Sequence, residues 1–454
     1  MNIINKNSKS ELSHSPIEMK YYSTHKRSPE VSLQEAVVKG LAPDKGLYMP
    51  EKIKTLPKAF FDEIANFSLT EIAKTVADAF FQPDIPQENL DFIVEDTLNF
   101  DIPQLKVEDG IYVLELFHGP TFAFKDVGAR FMARMLSYFV KEEGQDEVNV
   151  LVATSGDTGS AVANGFLGVK GINVFVLYPS GKVSDIQEAQ FTTLGQNITA
   201  IEIDGTFDDC QALVKSAFMD EELNRKMNLT SANSINVARF LPQSFYYFHA
   251  YARLAKLGLA ENVVVSVPSG NLGNLTAGLF AKRMGLPVER FVSANNRNDV
   301  FFNYLKTGSY NPQPSVQTIA NAMDVGAPSN FDRILDLYHD SHKDIAADIS
   351  GYSFSDPEIA ETIREVHETT GYLLDPHGAC GYLALKKSRK PGEIGLFLAT
   401  AHPAKFKETV EECIDGSIEV PEGLKAFMAG EKQTIPCPND YEAFKKILTL
   451  SRKT

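Results

Sequence analysis

Lys125 stands in the stretch FHGPTFAFKD (117–126), inside a cluster that includes Phe122 and Phe124, and Asp126 follows it. A lysine ordinarily keeps its ammonium in water and lays only its stem on apolar surface. Aromatic flanks would instead desolvate the ammonium and make the neutral amine more available. Such an amine can form a Schiff base with an aldehyde; the alternative is a lysine that reaches past the rings to solvent. A second stretch, PSGNLGN (268–274), follows an apolar run and opens a helical one. Gly270 and Gly273 permit close backbone approach, and the amides of the next helix form an anion site. A phosphate is the natural guest, although a tight strand–helix connection would read the same. The spacing is neither G-x-x-x-x-G-K-[ST] nor G-x-G-x-x-G, which disfavours a P-loop hydrolase and a standard dinucleotide fold. An aldehyde that also carries a phosphate accounts for Lys125 and the loop together, and pyridoxal 5′-phosphate is such a molecule.

The elements that must position these residues follow a repeated order of apolar run, short loop and helix. The runs VNVLVA (148–153), INVFVLY (172–178), NITAIEID (197–204), NVVVSVP (262–268) and IGLFLAT (394–400) read as strands. Apolar runs of this length between helices indicate parallel strands covered on both faces. The expected class is α/β, with open parallel sheets covered by helices and an N-terminal α+β segment. In such sheets ligands sit beyond the carboxyl ends of the strands, where loops 154–159, 268–274 and 400–403 fall. Residues 21–53 read as an extended piece, one amphipathic helix and a turn-rich connector, and 59–81 as one or two helices. Between about 297 and 350 the rhythm lapses into a polar stretch that reads as an insertion.

The 454 residues suffice for two or three domains. A net charge of −15 argues against a nucleic-acid surface. No window approaches the ~20 apolar residues of a membrane span. The polar start, MNIINKNSKSELSHSP, lacks the apolar stretch of a signal peptide and reads as a tail. Cys210, Cys380, Cys413 and Cys437 show no metal spacing and read as buried free thiols of a cytoplasmic protein. No metal is expected.

The blocks LFHGPTFAFKDVGARFMARML, ATSGDTGSAVA, SANSINVARFLPQSFYYF, VPSGNLGNLTAGLFAKRMG and ATAHPAKF, with YYST and EAVVKGLAPDKGLYMP before them, resemble threonine synthases of the long bacterial and fungal type. They run in the family's order from about residue 20 to 415. The resemblance implies a fold type II (tryptophan synthase β-like) enzyme that converts O-phospho-L-homoserine and water to L-threonine and phosphate with pyridoxal phosphate. It implies Lys125 as the lysine that carries the cofactor, Gly270, Asn271, Leu272, Gly273 and Asn274 as the cradle of its phosphate, and Thr400 as the residue facing the pyridine nitrogen. Thr400 could equally be a strand-end hydroxyl capping the next helix.

Ser155 and Thr158 could hold the substrate carboxylate or simply cap a helix. Arg239, with Ser231, Asn233 and Asn236, is the first candidate for the substrate phosphate, since arginine suits phosphate best; Arg297 and Lys182 follow. Many fold type II enzymes carry asparagine where this chain has Asp157, its amide donating to the ring hydroxyl oxygen of the cofactor. An ionised aspartate only accepts, so Asp157 must hold a proton, turn away to cap the helix near Thr158, or pair with another donor. After YYST the family pattern has arginine then glycine, whereas His25, Lys26 and Arg27 stand here, and no role is assigned to them.

The expected domains are an N-terminal one (1–95), a large cofactor-binding one (96–130 and 229–454) and a small mobile one (131–228). The tail beyond about 420 carries no readable signal. A serine/threonine dehydratase or cysteine-synthase-like enzyme shares the lysine and the loops, and a non-catalytic paralogue would share the fold. Monomer and homodimer both stay open.

Overall fold

The computed structural model describes residues 18–143 and 147–450; the N-terminal stretch read as a tail lies outside them. Among the described residues, strands β1 (Tyr21–Ser23) and β2 (Tyr48–Pro50) pair antiparallel in the N-terminal segment. The others are β3 (Gln104–Glu108), β4 (Ile111–Glu115), β5 (Val148–Ala153), β6 (Ile172–Pro179), β7 (Ile198–Asp204), β8 (Leu229–Ser231), β9 (Val263–Pro268), β10 (Arg290–Asn295), β11 (Ile349–Ser353), β12 (Ile394–Ala399) and β13 (Ile435–Pro438).

They form two sheets, ordered β11-β10-β9-β12-β4-β3 and β13-β7-β6-β5-β8. All pairs in both sheets are parallel except β3 with β4. Every residue of β5 and β9 is buried, as a strand covered by helices on both faces requires. All five strands read from apolar runs are present within two residues of their expected ends. β4 carries little sequence signal, because its buried run is short and ends on Glu115. β10 gives little either, because it carries buried Ser293 and Asn295, which satisfy each other at 3.2 Å.

Three expectations change. The stretch 297–350 is no separate insertion, since it connects β10 to its parallel neighbour β11 and contains the helices Val300–Thr307, Phe331–Leu337 and His342–Asp348. Its polar character has a structural use: Asn296 and Asn298 fold it on Thr318, Val316 and Asp324. The C-terminal region does not belong wholly to the large domain. β13 pairs with β7 at the edge of the five-stranded sheet, where its two prolines are tolerated, and Phe444 and Leu448 of the helix Tyr441–Leu450 enter the core beside Cys210 and Leu213. β8 also joins that sheet, three residues past the expected boundary. The four cysteines are buried and free.

Candidate active site

A cavity of about 330 Å³ lies where the carboxyl ends of β5, β9 and β12 meet, between the two sheets. All three expected loops reach it, the first through residues that include Thr154 and Asp157, the second through residues that include Gly270 and Gly273, and the third through Thr400.

Lys125 lines it as the first residue of the helix Lys125–Glu143. The loop before it is held from both ends. Phe124 N donates to Thr400 O at 2.9 Å, and the Asp126 carboxylate accepts from Thr121 N and Oγ1 at 2.9 and 2.6 Å. The helix packs closely on the 239 segment, since a Cβ at Gly128 would stand 2.3 Å from Arg239 O. The ammonium lies 5.8 Å from the centre of the Phe124 ring. Burial, with help from the Arg239 and Lys405 charges and against that of Asp157, lowers the Lys125 amine to about 8.

The loop after β9 is braced from within. Asn274 accepts from Ser269 Oγ at 2.5 Å and donates to Pro268 O at 3.0 Å, and Asn271 binds Ser234 Oγ and the Ser329 amide. Leu272 adopts a left-handed φ of 58° at the start of the helix Gly273–Arg283, with its side chain wholly buried. Of the expected cradle, Gly270, Asn271, Gly273 and Asn274 line the cavity and Leu272 does not. A Cβ at Gly270 would lie 2.7 Å from Met323 Cα, so the wall 322–325 closes on this loop. A phosphate fits such a cradle of amides at a helix start, and the free amine of Lys125 in the same cavity fits the aldehyde. The residues present suit pyridoxal phosphate.

Thr400, directly after β12, lines the cavity. The turn that follows is capped by His402, which accepts from Ala404 N at 3.1 Å, so capping falls to His402. Ser155 and Thr158 also line the cavity. The hydroxyl that organises this turn is Thr154, which accepts from Gly156 and Gly159 amides at 2.9 and 2.8 Å.

Asp157 does not cap the helix it starts, where Gly156 occupies the N-cap without a side-chain bond. It pairs with Lys405, Nζ to Oδ1 2.7 Å, and accepts from Gln187 at 2.9 Å. Although burial opposes it, Lys405 and Lys125 hold this carboxyl well below the usual range. Lys405 carried no role in the sequence reading. Its setting between Ala404 and Phe406 resembles that of Lys125 and was the available signal.

Arg239 is 3% exposed and lines the cavity, and its Nε and Nη1 have no hydrogen-bond partner. Burial lowers its guanidinium to about 10. Asn233 lines the cavity too. Two candidates point elsewhere. Asn236 donates to Val37 O and Ser231 O and caps the turn at Ala238, while Ser231 is buried and its hydroxyl turns to Asn233. Arg297 and Lys182 are exposed and do not line the cavity. His25 and Lys26 lie on the surface and face Asp332 and Asp336. His377 and Asp324, which the sequence reading passed over, complete the wall. Asp375 holds His377 Nδ1 at 2.6 Å, and its Nε2 accepts from Ala322 N at 3.1 Å. Burial raises the Asp324 carboxyl to about 6.

Comparison with known proteins gives the family. The family described as pyridoxal-phosphate dependent enzyme matches residues 94–396, and those described as threonine synthase N terminus and threonine synthase, C-terminal, match 20–98 and 378–448. Threonine synthase of Haemophilus influenzae is 47% identical over 406 residues, which cover 89% of this chain and 94% of that one. The crystal structure of threonine synthase from Escherichia coli superposes with a TM-score of 0.90 at 42% identity, covering 95% of this chain and all of that one. The pyridoxal-phosphate-bound threonine synthase of Brucella melitensis gives a TM-score of 0.90 at 34% identity, covering 96% and 100%.

Proposed function

The chain belongs to the threonine synthase family of pyridoxal-phosphate-dependent enzymes, and from that premise we propose how its residues turn O-phospho-L-homoserine and water into L-threonine and phosphate. The observation that carries the reading is one cavity that holds a desolvated amine, a glycine cradle and a buried guanidinium with two uncommitted donors. Two separate anion seats beside one amine suit a phosphorylated cofactor together with a phosphorylated amino acid.

Lys125 would carry the cofactor, the backbone of the 270–274 loop would hold its phosphate, and Thr400 would offer its hydroxyl to the ring. When bound, pyridoxal phosphate supplies an electron sink for charge that develops on the substrate carbons. Ser155 and Thr158, with the amides at the start of the helix Asp157–Phe166, hold the substrate carboxylate. Arg239 and Asn233 hold the substrate phosphate. Lys125, once its amine is free, takes the proton from Cα and then serves Cβ as proton carrier. Phosphate leaves from Cγ and a proton is delivered there, water gives its hydroxyl to Cβ and its remaining proton to the released phosphate, and a proton is returned to Cα. A cytoplasmic setting agrees with the free buried thiols; among the described residues no helix is long and apolar enough to cross a membrane.

Turnover in isotopically labelled water tests the reaction: label is expected in the threonine hydroxyl with equimolar phosphate. If 2-oxobutyrate dominates, the dehydratase reading replaces this one. Borohydride reduction is expected to fix the cofactor to the peptide that contains Lys125.

A further inference from the structure

Asp157 and Lys405 form an ion pair at the cavity edge that no step above uses, with side chains 3% and 0% exposed. The Lys405 ammonium also donates to Thr121 O at 2.9 Å, in the loop that Asp126 ties to the head of the Lys125 helix. From the other side, Gln187 donates to Asp157 Oδ1 at 2.9 Å and Gln190 to Thr121 O at 3.0 Å. Asp157, Gln187 and Gln190 follow strands of the five-stranded sheet, whereas Lys405, Thr121 and Lys125 follow strands of the six-stranded one. The pair therefore bridges the two halves of the molecule at the cavity.

A buried ion pair adds little net stability over a well-packed apolar pair, so stability alone does not account for it. Its position does. The charged groups that act on Lys125 are Asp157 on the helix Asp157–Phe166, Arg239 on the turn Val237–Phe240, and Lys405 after β12. Asp157 is the one anion among them, and its Oδ1 is taken by Lys405 and Gln187.

We propose that Lys405 is a positioning residue for Lys125: by occupying the Asp157 carboxylate it withholds that carboxylate from the Lys125 ammonium and leaves the amine free to act as a base. The proposal rests on the reading of Lys125 as the cofactor-bearing base. It gives Asp157 a use as well. Its charge, shared with Lys405, keeps the site from holding three uncompensated cations. Without Lys405, Asp157 would turn its full charge on Lys125 and hold its proton.

The test is the titration of the Lys125 amine in the full-length chain after removal of the cofactor, read as the pH dependence of its labelling by an amine-selective reagent, with the Lys125 peptide quantified by mass spectrometry. Lys405→Met is expected to move the midpoint up by about one pH unit, and Asp157→Asn to move it down by a similar amount. The double variant is expected to return towards the wild-type midpoint, and Lys405→Arg to stay near it. A packing role alone would not give opposite signs for the two singles. An unmoved or lowered midpoint in Lys405→Met overturns the proposal. If that variant does not fold, an unmoved midpoint in Asp157→Asn, which keeps the size of the side chain, overturns it instead. Borohydride attachment of the cofactor in the wild-type protein separates the two failures. Attachment away from Lys125 defeats the functional reading, whereas attachment at Lys125 with unmoved midpoints defeats only the role of Lys405.

Discussion

Arg333 and Arg239 are both buried, and burial lowers the first to about 9 and the second to about 10, yet their donors are treated differently. Arg333, on the helix Phe331–Leu337, donates to Tyr48 O, Ser234 O, Ile235 O and Asn330 Oδ1 at 2.5 to 3.3 Å. Its guanidinium also lies 4.0 Å from the centre of the Phe240 ring. It joins the N-terminal segment, the 234–235 turn and the β10–β11 connection. Arg239, just beyond that turn, leaves Nε and Nη1 unpaired and faces the cavity. A buried charge is costly unless its hydrogen bonds are made. The fold completes them for Arg333 and leaves those of Arg239 Nε and Nη1 unmade. Burial and residue type are the same in both, so under the proposed function the state of the donors is what separates the structural arginine from the binding one.

The largest expected effect follows from that contrast. Arg239→Gln should lower kcat/KM by about a thousandfold or more, roughly 4 kcal/mol of transition-state stabilisation. It should leave the unfolding midpoint unchanged or slightly higher, because an uncompensated buried cation is removed. A clear loss of stability would show that Arg239 is held by the fold after all, and the comparison would break.

Arg333→Met should do the reverse. It removes the donor from the carbonyl oxygens of buried Tyr48 and half-buried Ser234 and Ile235, and a loss of about 3 kcal/mol is expected in urea denaturation. The turn that leads to Arg239 is also loosened, so KM is expected to rise more than kcat falls. An unchanged denaturation midpoint would remove Arg333 from the structural side.

This pair also marks how far the sequence was legible. The strands and glycine loops were readable because a run such as VNVLVA or PSGNLGN carries its own local physics, namely apolar length and backbone freedom. Lys125 was readable from its aromatic neighbours. Arg239 could be named as a candidate, but nothing in its neighbourhood distinguished it from Asn236, which lies three residues away and is spent on Val37 O and Ser231 O. Satisfaction of a polar group depends on partners distant in the chain, here 199 residues away for Val37. Arg333 gave no signal for the same reason, and Lys405 met Asp157 only through the closure of the two sheets. β13 likewise found its place from the open edge of β7, which composition does not reveal.

A smaller effect sharpens the comparison by supplying the missing anion. Inorganic phosphate, added to the cofactor-loaded protein, should raise its stability through Arg239, by about 2.7 kcal/mol at a hundred times the dissociation constant. The rise should vanish in Arg239→Gln and persist in Arg333→Met, measured as the shift of the thermal midpoint with phosphate. A rise that survives Arg239→Gln would place the second anion seat elsewhere in the cavity.

The smallest effect is read at Lys125 itself. Its amine is lowered to about 8, chiefly by burial, and the Arg239 charge pushes in the same direction, whereas Arg333 is not among the charges that act on it. Removing a nearby cation favours the protonated amine, so Arg239→Gln should move the labelling midpoint of Lys125 upward, by less than about one pH unit because burial stays in place. Arg333→Gln should leave the midpoint where it is, since its guanidinium donates to the carbonyl oxygens of the 234–235 turn. Equal shifts in the two variants would mean that Lys125 responds to loosened packing and not to charge. A shift confined to Arg239→Gln would tie the unpaired arginine to the reactive lysine electrostatically, and binding of an anion at Arg239 should then raise the Lys125 midpoint in the wild-type chain by the same mechanism and with the same sign.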